Sequence, residues 1–258
     1  MNHRQRLEGI FDRRVFPEVP SEFAIAWDLL SIVQDIVIGF TAAGGVKPRD
    51  PAHRRAALVL FGRLYDDYLG ALHLAGQGLG LQASVVLRSM LNSYYWLAYV
   101  LGDDQHRESR GREYLASGWN SIRRDFPKAQ REGVEIDAGF RAQVERQAAA
   151  APDVYPQTPE RLARSAGLDW HYQQAYAPLS AIEHGEAKNV VLRLVDGGGL
   201  HVGPRRDRWL LQIVQNAVST CQSAARAFSD LFELGYEAHL DQLWDRALRA
   251  GWVPANDA

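Results

Sequence analysis

Cysteine occurs once in the 258-residue chain, at Cys221, so neither an intramolecular disulfide nor a cysteine-based zinc site is available. The thiol falls in an amphipathic stretch, Ile213 to Phe228, where it reads as a small apolar side chain. Lysine is nearly absent, with three residues against 26 arginines, a bias that GC-rich coding explains more simply than nucleic-acid binding. With 31 acidic residues the formal net charge is −2, which excludes a strongly electropositive surface and leaves room only for a local basic groove. The longest apolar run, Phe23 to Phe40, is interrupted by Asp28, Gln34 and Asp35, so it reads as a buried helix and no membrane span is expected. The opening Met1-Asn-His-Arg-Gln-Arg6 lacks the apolar centre of a signal peptide, and a cytoplasmic location is expected. Walker loops, dinucleotide-binding glycine fingerprints and Gly-x-Ser-x-Gly elbows do not occur, nor does any Glu-x-x-His pair of the di-iron type. Asp50-x-x-His53 and Asp103-x-x-His106 have ligand-like spacing but sit beside proline or glycine breaks, so no metal and no cofactor is expected.

What the chain has in abundance is helical periodicity. Leu7, Ile10, Phe11 and Val15 mark an N-terminal helix over 1–16, stopped by Pro17 and Pro20. Ser21 is placed to cap a second helix reaching about Ala43, where Gly44-Gly45 ends it. Further helices are expected from about Ala52 to Gly76 and from Leu81 to Leu101. Two Arg-rich helices, roughly Gln105–Asp125 and Lys128–Ala150, are divided at Pro127, and Pro152 to Pro159 reads as a linker or exposed loop. A helix containing Pro178 runs from about Leu168 to Ala187. Asn189 to Val202 alternates and carries Gly197-Gly-Gly199, the pattern of a small β-hairpin near residues 189–203. Arg205 to Leu234 and Tyr236 to Ala250 are the last helices. The expectation is an all-α multi-helix bundle in a single domain, with a core over about 22–234 and the terminal helices 1–16 and 236–250 packed on it.

Two polar stripes run along helices that packing alone would make apolar. Ser84, Arg88, Asn92, Tyr95 and Tyr99 lie three or four residues apart and share one helix face. Arg88 is surrounded in sequence by Val85, Val86, Leu87, Met90 and Leu91, and a guanidinium in such a helix needs a carboxylate, carbonyls or a bound anion. The second stripe is Gln173, Tyr176, Ser180, His184 and Lys188, with Glu183 and Glu186 flanking the histidine. Pro178 can kink that helix and free carbonyls near Gln174. Structural roles compete with functional ones here: Arg88 can lock helices by pairing with Asp66, Asp67 or Glu183, and His184 can be a satisfied core histidine.

The runs Gly78–Asn92 (GLGLQASVVLRSMLN) and Tyr176–Gly185 (YAPLSAIEHG) together resemble a widespread group of bacterial helical proteins classed as a domain of unknown function. Its members share an Arg-Ser-x-x-Glu helix and a later Tyr-x-x-Leu-Ser-x-x-x-His segment, and the resemblance spans roughly Ala56 to Leu234. Asn92 stands where that pattern has Glu, which removes a general base or a carboxylate partner for Arg88. More distantly, such proteins look like HEPN domains, many of them metal-independent ribonucleases that use Arg-x(4–6)-His, usually at a dimer interface. In that chemistry His serves as acid or base at the 2′-hydroxyl and Arg stabilises the phosphorane. Only Arg164 to His171 has this spacing here, with Gly167 inside it.

Three functions are therefore in play. One is a helical protein binding an anionic ligand or a protein partner through a pocket of Arg88 and His184. Ser84, Asn92, Tyr95, Tyr176, Ser180 and Lys188 would line that pocket, and Tyr94, Trp96, Tyr99, Trp170 and Tyr172 could add aromatic walls. Another is a HEPN-like ribonuclease of a toxin or phage-defence system, with His184 and Arg88 catalytic, RNA as partner and a homodimer as the working unit. The third is purely structural.

Overall fold

In the computed structural model the described residues are 11–12, 14–149, 157–183, 194–195, 199–200 and 208–252. They form an all-α multi-helix fold. Its helices are α1 (Ser21–Ala42), α2 (Ala52–Gly76), α3 (Gly80–Leu101), α4 (Arg107–Arg131), α5 (Ala138–Ala149) and α6 (Pro159–Ser165). A short α7 (Asp169–His171), a π-helical turn (Tyr172–Tyr176) and α8 (Ala177–Glu183) follow, and α9 (Arg208–Phe232) and α10 (Glu237–Arg249) close the chain. Between α8 and α9, β1 (Leu194–Val195) pairs antiparallel with β2 (Gly199–Leu200), Leu194 opposite Leu200, within the stretch where the glycine pattern calls for a hairpin.

The α2–α3 hairpin is the most extensive helix contact, and α9 packs against α1, α2 and α3 to complete a central group of four. The link between α2 and α3 is short because Gly78 adopts φ +73° and lets the Leu79 amide reach back to the Leu74 carbonyl at 2.9 Å. Phe61 of α2 stacks on Phe228 of α9 with ring centroids 4.2 Å apart, and Phe40 of α1 meets Phe228 edge-on at 5.2 Å. Burial of one such ring contributes about 1.5–3 kcal/mol. Tyr68 is fully buried in α2, and its hydroxyl donates to the Ala26 carbonyl of α1 at 2.6 Å. Helix α1 is long and apolar enough to cross a bilayer, but half of its most apolar window is buried in the bundle, where Leu29, Val33 and Ile36 are inaccessible.

Several local expectations change. Residues 1–10 of the expected N-terminal helix lie outside the described residues, and Arg14–Val15 form a turn, not helix. Ser21 is not a cap: Pro20 holds the capping position and its carbonyl accepts the Phe23 amide, while the Ser21 hydroxyl donates to Glu22 at 3.3 Å. Pro127 does not divide two helices, because it lies inside α4. A proline removes one backbone donor, and α4 tolerates that loss so near its end. Gly133, at φ +72°, is what stops the helix, with the Val134 amide returning to the Ala129 carbonyl at 2.9 Å. The proline-rich stretch ends in a helix start: Thr158 accepts the Arg161 amide and Pro159 opens α6.

Candidate functional site

Pro178 shapes the second polar stripe. Its nitrogen cannot donate to Gln174 and its ring crowds that carbonyl, so the chain widens just upstream into the π turn. The Ala177 amide there donates five residues back, to Tyr172. The wide turn stacks Tyr172 on Tyr176, ring centroids 5.2 Å apart and 19° from parallel, and leaves Gln173 and Gln174 exposed.

The two stripes meet at Arg88 and Tyr176. Arg88 is half-buried on α3, and its guanidinium carbon lies 5.3 Å from the centre of the Tyr176 ring on the neighbouring helix. Burial pushes the Tyr176 phenol up from its usual pKa, and the charge and hydrogen bond of Arg88 pull partly the other way. Two turns further along α3, Tyr95 is fully buried against Tyr176 at 5.9 Å, Tyr172 at 6.3 Å and the His171 ring at 5.7 Å. The Tyr95 hydroxyl and His171 Nδ1 are hydrogen-bonded at 3.1 Å. Burial holds His171 down to about 4 and raises Tyr95 well above its ordinary value, so both are neutral near pH 7.

Other members of the stripes are placed differently. Ser84 is fully buried and donates to the Leu81 carbonyl of its own helix at 2.7 Å. Asn92 and Ser180 are half-buried. Tyr99 turns to α4, donating to Glu113 at 2.8 Å beneath the Arg110 guanidinium, 4.6 Å from its ring centre. Asp67 is hydrogen-bonded with Ser89 and feels Arg63. His184 and Lys188 lie outside the described residues. The two Asp-x-x-His spacings resolve into ordinary contacts: His53 bonds Glu108 of α4 at 3.0 Å, and His106 bonds Asp103 at 2.7 Å. Among the described residues no group of three or more His, Cys, Asp or Glu is placed to hold a metal ion. Cys221 is buried, and burial pushes its thiol up.

The Arg164–His171 spacing does not form one site within the chain. Arg164 is exposed and pairs with Glu160 at 3.0 Å and Asp169 at 3.3 Å, whereas His171 faces Tyr95. Sequence reasoning missed what lies on the other side of His171. A cleft of about 350 Å³ opens there, bounded by Tyr94 of α3, Thr220, Ser223 and Arg226 of α9, and Asp241 and Trp244 of α10. Nothing in the spacing of those residues signals a site, because each sits singly on a helix with an ordinary amphipathic pattern.

No curated protein and no solved structure matches the chain. A family match covers residues 54–198, from the first turn of α2 through the aromatic cluster to just short of β2, and so takes in both Arg88 and Tyr176. The chain belongs to DUF5677, a family of unknown function.

Proposed function

We propose that the protein binds a small anionic ligand against Arg88 and Tyr176, with His184 and Lys188 as further ligand-binding candidates. The carrying observation is the half-buried Arg88 guanidinium set 5.3 Å from the Tyr176 ring, itself stacked on Tyr172. A guanidinium steadied by an aromatic face keeps its planar fork in a fixed orientation, which suits bidentate capture of a carboxylate or phosphate. Asn92, in place of a glutamate, adds no negative charge to this helix face and no group able to exchange protons.

The test is thermal denaturation of the purified chain in inorganic phosphate and in a panel of small carboxylates. A ligand at one hundred times its Kd stabilises by about 2.7 kcal/mol, which for a chain of this size raises Tm by roughly 5–10 °C. Arg88→Met removes the shift, and Tyr176→Phe, which keeps the ring, retains most of it. Equal shifts in wild type and Arg88→Met, or none in wild type with any anion, would refute the reading.

A second reading keeps the same pair of helices. If His184 reaches Arg88, the pair has the acid–base and charge-stabilising groups of a metal-independent ribonuclease of the HEPN kind. The packing of α8, which leads to His184, against α3 is what favours it. RNA cleavage in the presence of EDTA, lost in His184→Ala, would support it; no cleavage of varied RNAs by wild type would end it.

A further inference from the structure

We infer that the cleft between α3, α7, α9 and α10 is a binding site for a neutral ligand bearing two adjacent hydroxyl groups, a sugar ring or the ribose of a nucleoside. It is separate from the Arg88 face and uses neither Arg88 nor Tyr176.

One residue lining the cleft carries a hydroxyl that finds no partner in the described residues. Thr220 is 1% exposed, and its Oγ1 has no hydrogen-bond partner among the described residues. Neighbouring side chains on the same helix are engaged: Ser219 donates to the Asn216 carbonyl at 3.2 Å and Gln222 to the Leu240 carbonyl at 3.1 Å. A buried hydroxyl left without a partner is costly, and Thr220 is among the residues that line the cleft, which makes it the nearest unsatisfied polar group to an occupant.

The charge of the cleft selects against ions. Arg226 of α9 pairs with Asp241 of α10 at the mouth, with 40% and 61% of their side chains exposed. The histidine wall is neutral near pH 7, and so is the Tyr94 phenol, which is bonded to Ser223 and raised by burial. An anion would meet Asp241 and a cation would meet Arg226. A side-by-side arginine and carboxylate instead present donors next to acceptors, the complement of two adjacent hydroxyls that each donate and accept. An exposed ion pair of this kind holds together weakly, so it can trade part of its own contact for a ligand's. Trp244, partly buried on the core, and Tyr94 add the flat apolar surfaces on which a sugar or a base rests.

The experiment is calorimetric titration of the full chain with D-glucose, D-ribose and adenosine as probes, with glucuronate and adenosine monophosphate as charged counterparts. Saturable binding of at least one neutral probe is expected, with its charged counterpart weaker by tenfold or more. Binding by glucose identifies a sugar, and binding by adenosine without ribose identifies a nucleoside. Thr220→Val keeps the shape, folds at least as stably as wild type by thermal melting, and weakens binding about tenfold. Asp241→Asn keeps the mouth intact in shape and weakens it likewise. Three results would each overturn the inference: no saturable binding of any neutral probe, tighter binding of the charged forms, or binding unaffected by both substitutions.

Discussion

Replacing Gly111 with alanine tests how α4 is seated on the bundle. A Cβ at this position would lie 2.4 Å from the His53 amide nitrogen, 2.6 Å from the His53 Cα and 2.7 Å from the Ala52 carbonyl carbon. All three atoms are backbone in the first turn of α2, so no side chain can swing aside, and the two helices must separate by about an ångström to reach ordinary contact. That separation also strains the bond one turn earlier. There Glu108 accepts from the His53 ring at 3.0 Å and approaches its amide at 3.4 Å, a carboxylate at the positive end of α2. Overpacking of this kind costs about 1–3 kcal/mol, and weakening the Glu108 contact adds roughly 1 kcal/mol. Alanine returns about 1 kcal/mol in helix propensity, which leaves a net loss of about 1–3 kcal/mol. For a chain of this size each kcal/mol moves Tm by about 2–4 °C, so a fall of roughly 2–12 °C is expected in calorimetry. Gly118 supplies the control, being on the same helix with nothing within 4 Å of an added Cβ. Gly118→Ala should raise Tm by a few degrees. If Gly111→Ala melts at or above wild type, or the two variants fall together, the close approach of α4 to α2 is not what requires the glycine.

His171 should impose an acid sensitivity on stability. Its folded value near 4 lies below the ordinary 6.5 because of burial, so the unfolded chain takes up the proton first. The contribution is complete above about pH 6.5 and is lost as pH falls through about 4, a few kcal/mol in all; urea midpoints should show this slope, and His171→Gln should flatten it. Glu233, which ends α9, holds φ +55° without being glycine, so Glu233→Gly should raise the urea midpoint by the equivalent of about 1 kcal/mol.

The long helices were legible because their local signals agree with their periodicity. Pro51 and Gly78 bracket α2, Gly102 follows α3, and both helices carry apolar residues at helical spacing, so their observed ends fall within a residue of expectation. Proline serves opposite purposes, breaking helices and opening them, and sequence alone does not separate the two. Pro127 reads as a breaker but sits inside α4, and Pro159 reads as part of a linker but opens α6 behind the Thr158 cap. The stripes through Arg88 and Tyr176 were visible as polar residues on apolar helices, and these two side chains do meet. His171 stands out in the sequence only by its distance from Arg164, a pairing that its bond to Tyr95 replaces. The cleft had no sequence signature, because Tyr94, Thr220, Arg226 and Trp244 become neighbours only when α3, α9 and α10 pack. A hydroxyl on a buried helix face looks the same in sequence whether or not it finds a partner.

The π turn before Pro178 acts as a phase shift within one continuous stretch of backbone. An ordinary helix advances about 100° per residue, so a turn widened by one residue rotates everything before it relative to everything after. That offset lets His171 face Tyr95 and the cleft while Tyr176 faces Arg88. Shortening the turn by one of its exposed glutamines would swing the upstream face by about a quarter-turn, parting the histidine from both neighbours. Residue count between Tyr172 and Tyr176, more than residue identity at Gln173 or Gln174, is thus what aligns the two faces, and variation in the family should respect that spacing before it respects those side chains.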